Sequence, residues 1–319
     1  MTVLAVIATG GTIQNTAGGR IAVEQLWSEI CERSAEARRL DIQTRVTEVT
    51  REGSERFGPA NWIAIARAVQ HAADDPDVAA VLITHGTFSL EETAFYLHLV
   101  VRSEKPIVVT CSQRRHGDLG NDGDRNFVDA IRVAACEAAA GLGILVVVGE
   151  EVHSAREVTK TNQRPGGFSS GSLGLLGSVE SDRVSLYRAP LRRHTYRSEF
   201  TPPTGPLPRV EVVSAYAGAD DTAINAFIRA GVGGLVVNGF AYSGEPYYSQ
   251  WPTLQRHAED GLPVVLVSRG GNGRVPIDER VLPFISGDIH SAQKARVLLS
   301  LALATTRDRA TLQSYFDRY

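Results

Sequence analysis

The chain has 319 residues, of which 43% are hydrophobic and 22% charged, and its formal net charge is -3. These values are ordinary for a globular protein, and the length suits two domains. Charges of both signs are interspersed, so the composition favours neither a nucleic-acid partner nor a disordered arm. With no apolar run near the roughly 20 residues of a membrane span and no secretory leader pattern, we expect a cytoplasmic protein with no membrane partner.

The cysteines and histidines predict neither a disulfide framework nor a metal site. Cys31, Cys111 and Cys136 form no CxxC pair, and the eight histidines show no HExxH spacing. Such spacings are the usual signature of structural or catalytic metal sites in a sequence. We therefore expect no metal.

The first part of the chain alternates apolar strands with amphipathic helices. The pattern predicts strands at 3–8, 79–84, 106–110 and 143–149, and helices at 59–72, 90–102 and 123–140. This alternation is typical of βαβ units with a parallel sheet. We predict an α/β fold whose larger N-terminal domain, residues 1–197, is flavodoxin-like or Rossmann-like.

Two threonine-bearing turns follow strands in this domain. Thr9-Gly10-Gly11-Thr12 comes after the first predicted strand, and Thr84-His85-Gly86-Thr87 after the second. Ser89 and Glu92 predict a capping box for the helix that begins after the second turn. Because ligands of open α/β sheets bind outside the carboxyl ends of the strands, both turns are expected to face one crevice.

A proline-rich break separates the second domain. Residues 201–208 contain four prolines and cannot continue a helix or a central strand, so 198–208 is predicted to be a linker. Beyond it, strands at 209–216, 234–238 and 263–268 and terminal helices from about Ser291 and Thr311 are predicted. We expect a smaller C-terminal α/β domain at 209–319.

Taken one at a time, the candidate catalytic residues have ordinary alternatives. A hydroxyl such as Thr12 after two glycines can attack a carbonyl, but it can equally be a plain turn residue. Thr87 has the same alternative. Lys160 is either a surface charge or, if it is buried beside a threonine, a base. No GxGxxG or Walker pattern is present, which disfavours a nucleotide-binding protein.

Several segments together resemble the bacterial-type L-asparaginase family of asparaginase and glutaminase amidohydrolases. The two threonine turns are similar to its signature segments, the second with Glu91-Glu92-Thr93-Ala94 after it. Further similarity lies in Gly53-Ser54, Asn121-Asp122-Gly123, residues 156–162 and residues 293–299. These matches follow the family order over nearly the whole chain.

The resemblance implies roles for individual residues. Thr12 resembles the nucleophile, which forms an acyl-enzyme and releases ammonia or an amine, and Thr87 with Lys160 resembles the pair that supports proton transfer. Ser54 matches the residue that binds the substrate α-carboxylate. The remaining substrate-binding candidates are Gly11, Glu55, Gly86 and Phe88. The family uses no cofactor, and its members imply a homotetramer or homodimer with each site at a subunit interface.

The chain departs from the family at substrate recognition. Phe88 replaces an Asp that pairs with the α-ammonium of asparagine, which removes a charge-assisted hydrogen bond of about 1.5–3 kcal/mol. Glu55 replaces Gln, and it either restores a negative charge for an ammonium group or pairs with Arg56.

Two further departures concern the segments that close the family's sites. The loop after Thr12 lacks the family's tyrosine. Arg20 is the strongly polar side chain near that position, and it either binds a carboxylate or is an ordinary surface arginine. Tyr242 or Glu245 would take the role of the segment that reaches the neighbouring site. The protein is therefore expected to hydrolyse L-asparagine or a related small amide. The alternatives are a hydrolase of a non-asparagine amide and an idle ligand-binding protein on this fold.

Overall fold

The computed structural model describes residues 2–271, 273–278 and 281–319. The chain divides into two compact units, the first ending at Pro202 and the second running from Pro203 to Tyr319. This division falls inside the segment 198–208 that the sequence predicts as a linker. Across the described ranges, no helix combines the length and the apolar character that a membrane span requires.

The first unit is built on an eight-stranded sheet with two small hairpins beside it. Its strands are β1 (Thr2–Ala8), β2 (Asn15–Thr16), β3 (Gly19–Arg20), β4 (Ile42–Glu48), β5 (Ala80–Thr84), β6 (Ile107–Thr110), β7 (Ile144–Val148), β8 (Glu151–Ser154), β9 (Thr159–Lys160), β10 (Phe168–Ser169), β11 (Gly177–Val179) and β12 (Val184–Leu186). The large sheet has the order β12-β11-β8-β7-β6-β5-β1-β4, while β2 pairs with β3 and β9 with β10.

The central strands of this sheet are parallel, and every residue of β5, β6 and β7 is buried. Strands buried on both faces of a parallel sheet have continuous apolar sequences, which is why these three were predictable. Beyond β7 the pairing becomes antiparallel through β8, β11 and β12.

Helices cover the sheet of the first unit. They are α1 (Val23–Arg33), α2 (Ala35–Arg38), α3 (Pro59–Asp74), α4 (Leu90–Val100) and α5 (Gly123–Ala134). One continuous core joins sheet residues such as Leu82 and Val108 to Leu26 of α1 and Phe127 of α5. This core holds the strand ends, and therefore the turns that follow them, in fixed positions.

In its described residues, the second unit has a four-stranded parallel sheet in the order β13-β14-β15-β16, with four α-helices. Its elements are β13 (Val210–Ser214), α6 (Thr222–Arg229), β14 (Gly234–Gly239), α7 (Trp251–Glu259), β15 (Val264–Ser268), β16 (Ile285–Ser286), α8 (Ala292–Leu303) and α9 (Arg309–Arg318). Side chains cap both terminal helices: Ser291 accepts from the Lys294 backbone N–H, and Asp308 from that of Thr311. The predicted α/β class of both parts is confirmed.

Two sequence predictions about helix ends were wrong. The helix predicted over 123–140 ends at Ala134, and a separate 3₁₀ turn follows at Glu137–Ala139. The predicted capping box at Ser89 does not form, because the Ser89 hydroxyl makes no cap and instead donates a 2.7 Å hydrogen bond to the carbonyl of Ser54. That bond ties the start of α4 to the segment that carries Ser54.

Candidate active site

The two threonine turns leave adjacent strands at the same edge of the sheet. Ala8 of β1 lies opposite Thr84 of β5, and the Thr9 hydroxyl donates to the Thr84 carbonyl at 2.7 Å. Gly11 has φ 95°, and a Cβ at this position would collide with the carbonyl oxygen of His85. Only glycine tolerates both the backbone angle and this contact, so the second glycine of the turn is what allows the two turns to touch.

Thr12 opens a short 3₁₀ turn, Thr12–Gln14, and is half-buried. The turn is fastened to β5 by the Thr84 hydroxyl, which donates to Gln14 Oε1 at 3.1 Å. Within the part of the chain that the structure describes, the Thr12 hydroxyl itself has no hydrogen-bond partner. It is therefore held by its backbone and free to contact a ligand.

Thr87 and Lys160 form a direct pair. Lys160 Nζ lies 2.7 Å from the buried Thr87 Oγ1 and 5.2 Å from the centre of the Phe88 ring. Burial lowers the pKa of the Lys160 ammonium, and the nearby Cys111 thiol opposes this shift. Among the described residues no carboxylate lies within ion-pair distance of Lys160, so no carboxylate stabilises its ammonium form.

A small hairpin and a side-chain bond position Lys160. Lys160 in β9 pairs with Phe168 in β10, and the preceding Thr159 hydroxyl donates to the carboxylate of Glu91 on α4. The sequence pattern does not predict this anchor, although Glu91 lies in a segment that resembles the family. A bond between residues 68 positions apart has no periodic signal that a sequence pattern could show.

Ser54 is buried against the second turn. Its Oγ accepts a 3.2 Å hydrogen bond from the Phe88 backbone N–H, and it would lie 2.5 Å from a Cβ on Gly86. Gly86 is therefore needed so that the serine can approach. Because the Ser54 hydroxyl only accepts here, it keeps its own proton for donation.

Glu55 and Phe88 lie at the exposed rim. The Glu55 carboxylate folds back over Gly53, and no ion pair joins it to Arg56 in the described chain. Phe88 is 72% exposed, so its ring presents an apolar surface to solvent and is not part of the core.

The remaining recognition candidates fall in different units. Arg20 belongs to the β2–β3 hairpin of the first unit, where its Nε donates to Asn15 Oδ1 at 3.2 Å. Tyr242 and Glu245 are in the second unit, where Tyr242 is exposed and Glu245 half-buried.

The site offers hydroxyls, an amine and a guanidinium. No group of three or more His, Cys, Asp or Glu side chains in the described ranges could hold a metal ion. Thr12, Thr87 and Lys160 are the reactive groups that the sequence singled out, and the last two are in contact. What such a set can do is transfer a proton to or from a hydroxyl and add that hydroxyl to a carbonyl.

Comparison with known proteins gives matches over both units. Residues 3–192 match the family model described as "Asparaginase, N-terminal", and residues 209–316 match "Glutaminase/Asparaginase C-terminal domain". L-asparaginase 2 of Escherichia coli is 33% identical over 99% of this chain and 93% of its own length. A glutaminase-asparaginase of Pseudomonas fluorescens is 33% identical over 98% of this chain and 90% of its own.

A solved structure agrees with these sequence matches. It is described as a probable cytoplasmic L-asparaginase from Campylobacter jejuni, with 30% identity, a TM-score of 0.92 and complete coverage of both chains. Likeness of this extent, in both domains and in the fold, shows that the chain belongs to the asparaginase family and is an amidohydrolase.

Proposed function

We propose that this enzyme hydrolyses L-asparagine or a related small amide with Thr12 as its nucleophile. The observation that carries the proposal is the 2.7 Å contact between Lys160 Nζ and Thr87 Oγ1, at a site where burial lowers the pKa of the lysine. A neutral amine at this distance accepts the threonine proton, which a solvated ammonium group cannot do.

The chemistry follows in two halves. The Thr12 hydroxyl adds to the amide carbon as the Thr87–Lys160 pair takes up its proton, and peptide N–H groups of the glycine turn stabilise the oxyanion. The C–N bond breaks as the leaving nitrogen gains a proton, so ammonia or an amine departs and an acyl-threonine remains. Water, deprotonated with help from Thr87 and Lys160, then adds to the ester carbon and releases the acid and Thr12.

Ammonia release from L-asparagine, D-asparagine, L-glutamine, succinamate and N-substituted asparagines tests the role of Thr12. We expect Thr12→Ala to lower kcat by at least about 10³-fold, because the covalent route is lost. Thr47, an exposed threonine of β4, gives a matched control, since Thr47→Ala removes the same atoms from a side chain that is not among the proposed catalytic groups. Undiminished turnover by Thr12→Ala would remove Thr12 from the mechanism.

A substrate other than asparagine is the second candidate. It is favoured by the exposed Phe88 ring, which cannot pair with an ammonium group as a carboxylate would. The substrate would then be an amide whose amine is absent or acylated. A catalytically idle binding protein would differ from both candidates. Ligands would raise its Tm, but the ammonia assay would detect no product from any amide.

We also propose a cytoplasmic homotetramer or homodimer in which a neighbouring chain completes each site. The Campylobacter jejuni relative named as probably cytoplasmic supports the compartment, and the exposed Tyr242 in the second unit supports a contact residue there. Light scattering coupled to size-exclusion chromatography measures the assembly. A monomer with full activity would contradict the shared site.

A further inference from the structure

One arginine side chain lies directly on the turn that leads to Thr12. Gly10 has φ 85°, and a Cβ on it would be only 2.7 Å from Arg20 Nη1. Glycine at this position therefore leaves room for the guanidinium two residues before the proposed nucleophile. We propose that Arg20 is a specificity-determining residue that selects substrates bearing a carboxylate.

Arg20 is held in this position by neutral groups. Its Nε donates to Asn15 Oδ1 at 3.2 Å, and its Nη1 donates to the carbonyl of Arg51. The hairpin is closed by the Thr16 hydroxyl, which donates to Gly19 at 2.8 Å, and the Asn15 carbonyl accepts from His116 N–H at 2.8 Å. A guanidinium fixed in this way loses little conformational freedom when it binds a ligand.

Arg20 also lacks a counter-ion. In the described ranges no carboxylate is within ion-pair distance of it, although Glu52 and Glu55 closely follow Arg51, whose carbonyl Arg20 contacts. Glu52 offers only its backbone carbonyl near Gly10, and the Glu55 carboxylate covers Gly53 instead. A half-buried guanidinium whose Nη2 has no partner in the described chain is suited to an anionic group, which can accept two parallel hydrogen bonds from it.

The position of Arg20 favours a small substrate. The α-carbons of Gly10, against which the guanidinium lies, and Thr12 are at most about 7 Å apart, since two residues span no more than that. An amide at Thr12 and a carboxylate at Arg20 can therefore belong to one small molecule, and the monoamide of a four-carbon dicarboxylic acid is the probe that tests this. This inference rests on the proposed function, because it places the scissile amide at Thr12.

The first experiment compares succinamate with butyramide, in which a methyl group replaces the carboxylate. In Arg20→Met we expect the ratio of kcat/KM for succinamate to that for butyramide to fall about 10- to 100-fold, mainly through KM for succinamate. Arg20→Lys should recover part of the ratio, because it restores the charge without the planar fork.

Arg51→Met is the matched control, since Arg51 pairs with Glu48 on the surface through its side chain. It removes the same charge nearby, and the ratio should stay within about twofold of wild type, since surface charges are screened by salt. If the role of Arg20 were purely structural, Arg20→Met would lower kcat/KM for both substrates equally and leave the ratio unchanged. An unchanged ratio would therefore overturn the inference.

A binding measurement separates this inference from the proposed function. Calorimetric titration with succinate, which needs no turnover, should show at least about tenfold weaker binding to Arg20→Met than to wild type and Arg51→Met. If no amide is hydrolysed but succinate binding depends on Arg20, the proposed function fails and the inference stands. If amides are hydrolysed and neither the ratio nor succinate binding responds to Arg20, the inference fails and the function stands.

Discussion

Phe88 is the side chain that most directly separates this site from one suited to asparagine. Its ring stands beside Lys160, and its backbone N–H is bonded to Ser54. The side chain at position 88 thus lies beside the proposed base, while its backbone is tied to Ser54. Changes at this residue should alter recognition and proton transfer together.

We expect Phe88→Asp to raise kcat/KM for L-asparagine by about tenfold or more, because a carboxylate there forms a charge-assisted hydrogen bond with the α-ammonium group. The same variant should lose activity on succinamate, which has no ammonium group. Steady-state ammonia release with both substrates measures this change in substrate preference. No gain on asparagine by a folded variant would show that specificity is set elsewhere, at Glu55 or in a segment from a neighbouring chain.

The same substitution should move the pH dependence of the reaction. In the wild type, burial lowers the pKa of Lys160, so activity should rise with pH until the amine is neutral and then level off at a pH below the ordinary lysine range. A carboxylate at position 88 favours the ammonium form and raises this pKa. The rise in kcat should then occur at higher pH in Phe88→Asp but not in the uncharged control Phe88→Leu.

At the scale of elements, the β9–β10 hairpin is the part of the fold that brings Lys160 to Thr87. It consists of two paired positions, and the bond from Thr159 to Glu91 joins it to α4. Two-stranded hairpins are marginally stable alone, so this side-chain bond should matter more than its single hydrogen bond suggests.

Removing that bond should reduce catalysis more than stability. We expect Thr159→Val to lower kcat about tenfold, because Lys160 is then no longer held in position beside Thr87. The free energy of unfolding should fall by only about 1 kcal/mol. Thr159→Ser keeps the hydroxyl and should retain most of the activity. Kinetics and urea unfolding of the two variants test this, and equal kcat in both would mean that the hairpin is positioned without Glu91.

The elements also show what the sequence could predict. The strands β5, β6 and β7 were predictable because each is an unbroken apolar segment buried on both faces. By contrast, β4 alternates half-buried and exposed residues at the sheet edge, and β8 and β11 are too short to give a clear pattern. Their pairing depends on tertiary contacts, which override local pattern.

The site was predictable to a similar extent. The strand-turn pattern predicted that Thr12 and Thr87 face one crevice. The pairing of β1 with β5 puts the two turns at the same edge of the sheet, and the shared crevice stays a prediction. Lys160 entered only through the family resemblance, because nothing in its local sequence distinguishes it from a surface lysine. The guanidinium of Arg20 on Gly10 had no local signal either, since it depends on how a hairpin packs.

For the whole molecule, buried neutral histidines make stability depend on pH. Burial lowers the pKa of both His85 and His194 to about 4 from an ordinary value of 6.5. Between these values the unfolded chain binds protons that the folded chain excludes. Stability from these residues is therefore fully present above pH 6.5 and is lost as the pH falls toward 4.

Asp129 acts in the opposite direction over part of this range. Desolvation raises its pKa to about 6, so its contribution to stability falls as the pH rises from 3.8 to 6. Each fully buried histidine contributes up to about 3 kcal/mol across its window, and two histidines outweigh one carboxyl. We therefore expect a net loss of stability on acidification.

Urea unfolding at pH 7.5, 6.0 and 5.0 tests this expectation for the first unit, which contains all three groups. The free energy of unfolding should fall as the pH is lowered, and the fall should be smaller in His194→Gln, which has no proton to gain. A pH-independent midpoint would show that these histidines remain accessible to protons in the folded state.

The contact between Gly11 and the His85 carbonyl has a consequence for how this enzyme can evolve. This backbone contact and the hydrogen bonds of the Thr9 and Thr84 hydroxyls fix the relative position of the two turns. The side chains at 20, 55 and 88 take no part in it, so we expect that they can be exchanged without moving Thr12 or Thr87. A single substitution at one of these positions can then change the preferred substrate while the enzyme keeps its hydrolytic activity, on which selection acts. A library randomised at these three positions should accordingly yield many folded variants with diverse amide preferences, whereas substitution of Gly11 should yield almost none.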